Sequence, residues 1–447
     1  MPQPAIDPNH DSLSYWHATA EPIVPGGPLP RTADAVVIGG GMLGCWTTYW
    51  LARAGVRVVL LERTAIGWGA TGRNGGFLVG GTALPYPRLV ELVGEEAARS
   101  LHQVTMDGQA LAYRIVAEEE IACDLRRAGT LGLALDGAGG DAVGPDDSLL
   151  HGDGTGIEQL DRAGVQDLIA TPLGDRITGG WYASNDGTLH SSRYLAGVAR
   201  AAERRGATIV RAAVSSIAST GNAVRIETDE GVIEAGQVVI ALNAWSDTLV
   251  PELAGLVVPV RGQILAYQPT ATVFRSAVGV DLTPTGEYWQ QVADGSIVIG
   301  GCRADAPDAD VGVRDMVPTD QVTGRIERIL PDLFPELADL RVSRRWAGLM
   351  AFTSDRLPVV DRVPGVENAW VAGGFSGHGM TFGPRLGQLL AEAVRSGGMP
   401  GALEPLRIDR PTLRVPLSRW QVKRRRSFRE TMSSNRVCER YRICPDS

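Results

Sequence analysis

The sequence predicts a mixed α/β (α+β) fold of two domains, on three observations. An apolar strand, a glycine loop and a helix follow one another at residues 34–54, and the same plan recurs far down the chain at 369–395. Between them, the stretches 85–180 and 262–345 differ in character, the second showing the alternation of antiparallel strands. One domain is therefore expected from the separated segments 32–84, 181–261 and 346–410, and an antiparallel-sheet domain from 85–180 and 262–345.

Taken in order, residues 1–31 are rich in proline and polar groups and predict an extended arm, lying on the surface or partly disordered. Asp34 to Gly40 is an apolar strand, Met42 to Ala54 has helical character, and Val56 to Glu62 is a second buried strand, which makes a βαβ unit. Ser192 to Gly206 predicts a helix stopped by glycine, followed by a strand from Ala207 to Val214. A meander then runs Asn222 to Thr228, turns at Asp229-Glu-Gly231 and ends in Gln237 to Leu242. In the second domain, strands are expected at Gly262–Gln268, Glu287–Val292 and Ser296–Gly301, with one sheet face over a ligand. Ala369 to Gly374 is a strand that feeds a loop and a helix from about Met380 to Arg395. Residues 411–447, with the run Lys423-Arg-Arg-Arg426, predict a solvated, disordered tail.

Composition excludes several function classes. With 447 residues, 44% of them hydrophobic, and a net charge of −8, the chain lacks the concentrated lysine and arginine of a nucleic-acid binder. The start has no basic n-region or apolar core, so no secretory signal is read. The apolar window at 35–61 contains Arg53, Arg57 and several glycines, which argues against a membrane span. Five cysteines, Cys45, Cys123, Cys302, Cys438 and Cys444, show no zinc-type pairing with each other or with histidine, so no metal is expected and a reducing cytoplasm fits best. The sequence sets no oligomeric state.

The chemistry lies in two glycine loops. Gly39-Gly-Gly41-Met-Leu-Gly44 is GxGxxG between a strand and a helix: Gly39 makes the tight turn, Gly41 lets backbone approach a pyrophosphate, and Gly44 lets helix and strand pack closely. Glu62, ending the second strand, is placed to accept from an adenosine ribose. A further glycine-dense loop, Gly67 to Gly76, can lie flat against a large planar ring, with Arg63, Thr71 and Arg73 as donors to phosphates or ring carbonyls. The second loop, Gly373 to Phe382, ends in a helix whose positive end would stabilise the negative charge of a reduced flavin.

These motifs, together with Val238 to Trp245 and Trp346-Ala-Gly-Leu, resemble the D-amino-acid oxidase, glycine oxidase and sarcosine oxidase family of FAD-dependent oxidoreductases, and within it the gamma-glutamylputrescine oxidase branch. The resemblance covers about residues 32–405. It implies a Rossmann-like FAD-binding domain assembled from discontinuous segments, a substrate domain, and hydride transfer from an amine carbon to flavin. On matching positions it implies FAD contacts from Gly39, Gly41, Met42, Leu43, Gly44, Glu62, Arg63, Ala70, Thr71, Arg73, Asn74, Gly75, Gly76, Val214, Asn243, Trp245, Gly374, Gly377, His378, Gly379, Met380 and Thr381. FAD is expected to be non-covalent, because Gly348 stands about where covalent relatives carry the attachment cysteine.

The resemblance also marks departures. Members acting on small α-amino acids place an arginine in the segment matching Trp346 to Ala351, and this chain has Met350. Sarcosine-oxidase-like members place a lysine where Thr381 stands, and the sole lysine here is Lys423. The substrate is therefore expected to be a primary or secondary aliphatic amine without an α-carboxylate, such as a polyamine derivative, with dioxygen or an electron carrier as acceptor. Arg303, Arg344 or Arg345 could substitute as a carboxylate clamp, which keeps an FAD amino-acid oxidase open. A non-catalytic flavin-binding scaffold is the alternative of another class.

His378, Tyr288 and Trp289 are the candidate catalytic or substrate-contacting side chains. His378 reads as a loop-orienting or flavin-contacting residue before a proton carrier. Tyr288 and Trp289 could cage an amine by cation–π contact, although alternation lets only one of them face the pocket. Cys302 reads as a buried inert thiol and His190 as structural.

Overall fold

The structure is a computed structural model that describes residues 13–136 and 156–414. Its first sheet runs, across the strands, Val359–Arg362, Ala369–Gly373, Gly231–Ile240, Thr32–Ile38, Val58–Glu62 and Thr208–Arg211. The four pairings from Ala369–Gly373 to Thr208–Arg211 are parallel. Val36, Val37, Leu60, Val238 and Val371 are all at 0% exposure, the continuous apolar pattern of strands covered on both faces. Strands Val214–Thr220 and Ala223–Thr228 extend this sheet as an antiparallel meander.

The helix Met42–Arg53 is buried from Met42 to Ala52, because it sits inside a layer of helices Glu95–Glu118, Ser191–Arg204 and Gly379–Ser396. Gly383 and Gly387 permit this packing: a Cβ at either would lie 2.4 Å from Met42 Cγ or 2.7 Å from Trp46 Cβ.

The second sheet runs Val342–Phe352, Val258–Tyr267, Ile297–Gly300, Glu287–Gln291, Ala277–Val280, Thr130–Leu135, Ile177–Ala183 and Ile157–Asp161. All its pairings are antiparallel except that of Ala277–Val280 with Thr130–Leu135. One face buries Leu131, Tyr267, Phe274, Trp289 and Ile299 against the helix Asp320–Leu333.

Five expectations are corrected. The strand expected at 207–214 is two, Thr208–Arg211 and Val214–Thr220, because the Asp229 carboxylate accepts the Ala213 N–H at 2.7 Å and breaks the run. The segment 85–180 is not wholly part of the second unit: the helix Glu95–Glu118 buries Leu101, Val104, Leu111 and Ile115 in the core around Met42–Arg53. Trp346 to Phe352, assigned to the first domain, forms the edge strand of the second sheet.

The N-terminal arm is the fourth. Residues Tyr15–Ala18 form a helical turn capped by Ser14, with Trp16 at 0% exposure among Ile264, Ala266, Val298 and Trp346. A few large apolar side chains anchor a stretch whose average composition is polar. At the other end, Arg410 makes a two-pronged buried ion pair with Asp355 (2.7 and 3.0 Å), and Leu413 is buried, so order extends past Pro411. The remainder of the expected tail, including Lys423 to Arg426, lies outside the described residues. Among the described residues no helix is long and apolar enough to cross a membrane, and no group of three or more His, Cys, Asp or Glu could hold a metal ion.

Candidate active site

The first glycine loop is tight where backbone must meet backbone and open where a ligand must enter. A Cβ on Gly44 would stand 1.9 Å from the Gly39 carbonyl oxygen, and Gly39 itself turns at φ 110° against the Ala241 carbonyl. At Gly41 the same test meets only Thr71 Oγ1, at 3.8 Å, so this side of the turn is free for a pyrophosphate at the helix N-terminus. Glu62 accepts N–H bonds from Gly40 and Thr64, both 2.8 Å, and each carboxylate oxygen keeps a lone pair for a ribose hydroxyl. Burial pushes its pKa up against those donors.

The donors expected for phosphate or ring carbonyls mostly serve the loop. Thr71 Oγ1 accepts the Met42 N–H at 3.0 Å. Arg73, 4% exposed, donates to the carbonyls of Trp68 (3.1 Å) and Ala347 (3.0 Å), and burial lowers its pKa to about 10. It clamps the flavin loop to the edge strand of the second sheet. Arg63 lies 5.2 Å over the Trp245 ring, and Trp245 in turn lies against Gly69. Asn74 Oδ1 accepts from Gly76 N–H and from the Ser191 hydroxyl, shaping the turn Gly75-Gly76 that follows Ala70–Arg73.

The second loop is built the same way. Asn243, at φ 49°, accepts the Gly374 N–H at 3.0 Å, so it joins the end of one central strand to the loop after its neighbour. Gly374 and Gly377 adopt positive φ, and Gly379 and Met380 open the helix Gly379–Ser396, which points its N-terminus back into the loop. Thr381 is 1% exposed and its hydroxyl donates to the Val79 carbonyl, which braces the helix. Val214, half-buried, opens the meander next to the Glu62 strand end.

Of the candidate catalytic residues, Tyr288 and His378 lie beside the two glycine loops. Tyr288 lies over Gly75, its Cε2 2.7 Å from where a Cβ there would be, and edge-on to Phe77 at 5.4 Å. Burial pushes its hydroxyl up to about 12. Trp289 points the opposite way, into the core against Phe274 and Phe334, and is withdrawn. His378 precedes the second-loop helix, with Nδ1 3.4 Å from the Ser376 carbonyl, and burial lowers its pKa so that it is uncharged near neutrality. Beside these lie Met350, with Sδ 3.8 Å from where a Gly377 Cβ would be, and Phe352 on the same strand face.

Of the three arginines weighed as clamps, Arg344 donates to the Leu13 carbonyl and Arg345 pairs with Glu327, and neither takes part in this cluster. Arg303 does: it stands 4.7 Å over the Phe352 ring and within electrostatic reach of Tyr288. Arg356 was not foreseen, and lies 4.8 Å from the same ring. Cys302 is buried and its thiol raised to about 12, and His190 caps the helix Ser191–Arg204. A surface cleft of about 450 Å³ bounded by Thr19, Glu119, Ile121 and Arg200 shares no residue with either glycine loop.

The N-terminal turn closes over this machinery, which no sequence motif announced. Ser14 Oγ donates to the Gly72 carbonyl and Trp16 Nε1 to the Asn74 carbonyl, both 2.6 Å. His17 stacks on Trp68 at 4.7 Å, with Nε2 3.1 Å from the Gly67 carbonyl, and Thr19 meets His190 at 2.9 Å. Burial, reinforced by Arg73 at His17 and by Arg193 at His190, lowers both imidazoles from 6.5 to about 4.

Because those pKa values are depressed in the folded state, the stability they confer is full above pH 6.5 and is lost as pH falls towards 4. A shift of that size corresponds to about 3 kcal/mol for a ring that stays buried. Melting temperature and FAD retention are expected to fall together between pH 6.5 and 4, and His17→Gln to flatten the fall. A flat profile in the parent protein would remove the two histidines from this role.

The model of the family described as FAD dependent oxidoreductase matches residues 34–393. The chain is similar to gamma-glutamylputrescine oxidoreductase of Escherichia coli (strain K12), 29% identical over 392 residues, spanning 86% of this chain and 88% of that protein. It is similar to glycine oxidase of Pseudomonas aeruginosa, 28% identical over 388 residues, 82% and 95% of the two chains. Its fold superposes on glycine oxidase from Geobacillus kaustophilus at a TM-score of 0.72 and 22% identity, covering 85% and 99% of the two chains. Two glycine loops, an acid closing the second strand and a model match across most of the chain lead to one conclusion: the protein belongs to the DAO family of FAD-dependent oxidoreductases.

Proposed function

We propose that the protein oxidises the C–N bond of an aliphatic amine to an imine, which water hydrolyses to a carbonyl compound and ammonia or amine, and that the electrons pass to dioxygen or a carrier. FAD, when bound, accepts the hydride. The observation that carries the amine over a small α-amino acid is Met350, an uncharged thioether beside Gly377, on the strand where the resemblance would put the carboxylate-binding arginine.

The chain's own residues act on the amine before the carbon reacts. The amine has to be uncharged when its carbon gives up hydride, and the space beside Met350 receives it. Phe77, Tyr288 and Phe352 exclude water from that space. His378, kept neutral by burial, orients the loop and presents no competing positive charge. Buried, unpaired Cys45, Cys123 and Cys302 suit a reducing, cytoplasmic setting.

The test is anaerobic bleaching of the flavin absorbance by a panel of amines and amino acids, followed by air. Bleaching by amines supports the reading, and a flavin inert to every amine and amino acid removes it in favour of a scaffold. Rapid return of colour with peroxide identifies an oxidase, and slow return a dehydrogenase.

A further inference from the structure

Gly348, Met350 and Phe352 alternate with Ala347, Leu349 and Ala351 on the edge strand, and so share one face. What each of them meets defines a direction. Gly348 faces Arg73 of the flavin loop, Met350 faces Gly377 of the second glycine loop, and Phe352 carries Arg303 and Arg356 over its ring. The row therefore leads from the flavin loop, past an apolar side chain, to a concentration of positive charge roughly 7 Å beyond Met350 along the strand.

That charge is held in place by its surroundings. Arg303 makes no ion pair or hydrogen bond among the described residues, and burial together with the nearby Arg356 lowers its pKa to about 10. Its backbone is fixed on both sides. Before it, the buried Glu287 carboxylate accepts from Thr283 and from the Cys302 N–H. After it, a run of left-handed residues, Asp308 to Asp310, is pinned by the buried Asp310 carboxylate to Arg261 (2.9 Å) and Gln263 (2.9 Å). Asp310 is thereby committed to Arg261, leaving Arg303 without a carboxylate of its own. Two half-buried guanidinium groups on one ring repel each other, and an anion between them relieves that repulsion while accepting planar, two-pronged hydrogen bonds.

We propose that Arg303 and Arg356 form the anion subsite of the substrate pocket, and that the substrate is an amine carrying a carboxylate separated from the reacting carbon by several methylenes. This rests on the amine-oxidation reading of the same pocket and deepens it. The Met350 position leaves an α-carboxylate without a cation at the reacting end, whereas a carboxylate further along the chain meets two.

The experiment has two arms, on FAD-loaded full-length protein. In the first, flavin bleaching is compared for glycine, 4-aminobutanoate, 5-aminopentanoate and 6-aminohexanoate against the amines lacking the carboxylate. The longer amino acids are expected to exceed their amines about 10- to 100-fold in apparent second-order rate, the advantage of a charge-assisted pair. That ratio is expected to collapse towards one in Arg303→Met and Arg356→Met and to recover partly in Arg303→Lys. Glycine as the best substrate, ratios near one in the parent, or a ratio unchanged in the variants would overturn the proposal.

In the second arm, pentanoate, which has no amine to oxidise, is titrated calorimetrically. Binding to the parent weakened about 10- to 100-fold in either methionine variant, at unchanged flavin content and melting temperature, supports the subsite. Absent or unaltered binding refutes it. If nothing bleaches the flavin while pentanoate still binds through Arg303, amine oxidation fails and the anion subsite stands.

Discussion

Gly44→Ala is expected to yield protein without FAD and with much reduced stability. The new Cβ would sit 1.9 Å from the Gly39 carbonyl oxygen, a backbone atom of the turn that receives the pyrophosphate, so the helix Met42–Arg53 must shift off its strand. That helix is buried from Met42 to Ala52, and a shift opens its contacts with three other helices. We expect a loss above about 3 kcal/mol, at the upper end for overpacking, because no flexible side chain can yield. Thermal unfolding and the ratio of flavin to protein absorbance measure it. A yellow variant melting with the parent would show that the turn tolerates the methyl group.

Trp16→Ala is expected to cost about 3–5 kcal/mol and to weaken FAD binding at least tenfold. Trp16 is fully buried, edge-on to Tyr15 and His190, and packed on Ile264, Val298 and Trp346 of the second sheet. Its indole N–H holds the Asn74 carbonyl, so the substitution removes both packing and a restraint on the flavin loop. Trp289→Ala is the control: an equally buried tryptophan in the second core, distant from that loop in its contacts. Both variants should lose stability, and the FAD dissociation constant should rise for Trp16→Ala alone. Equal dissociation constants would reduce the N-terminal turn to a packing element.

The parts of the site that were legible in sequence are those where local geometry dictates residue type. Gly39, Gly41 and Gly44 could be assigned separate duties because a turn, an open approach and a close contact each require a missing side chain, and Glu62 follows from strand length. The strands at Val258–Tyr267, Glu287–Gln291 and Ile297–Gly300 were visible through alternation. What alternation cannot supply is which face turns inward, so Tyr288 and Trp289 remained paired until the sheet's core side was known. Arg303, Arg344 and Arg345 were equivalent for a similar reason: whether an arginine faces Phe352, the Leu13 carbonyl or Glu327 depends on tertiary neighbours. Arg410 with Asp355, and Ser14 to Thr19 with the flavin loop, join segments between 50 and 171 residues apart or bridge to a neighbouring unit, and leave no periodic trace.

The N-terminal turn also sets an order of events during synthesis. Leu13 and Trp16 leave the ribosome early, yet Arg344 and Trp346, on which that segment rests, follow some 330 residues later. At about 5–20 residues per second the segment waits tens of seconds with its tryptophan exposed. The flavin loop from Gly67 to Gly76 is thus synthesised long before the strand on which its cover rests. Docking of the N-terminal turn on the second sheet is therefore a late event, although the turn lies near the start of the chain.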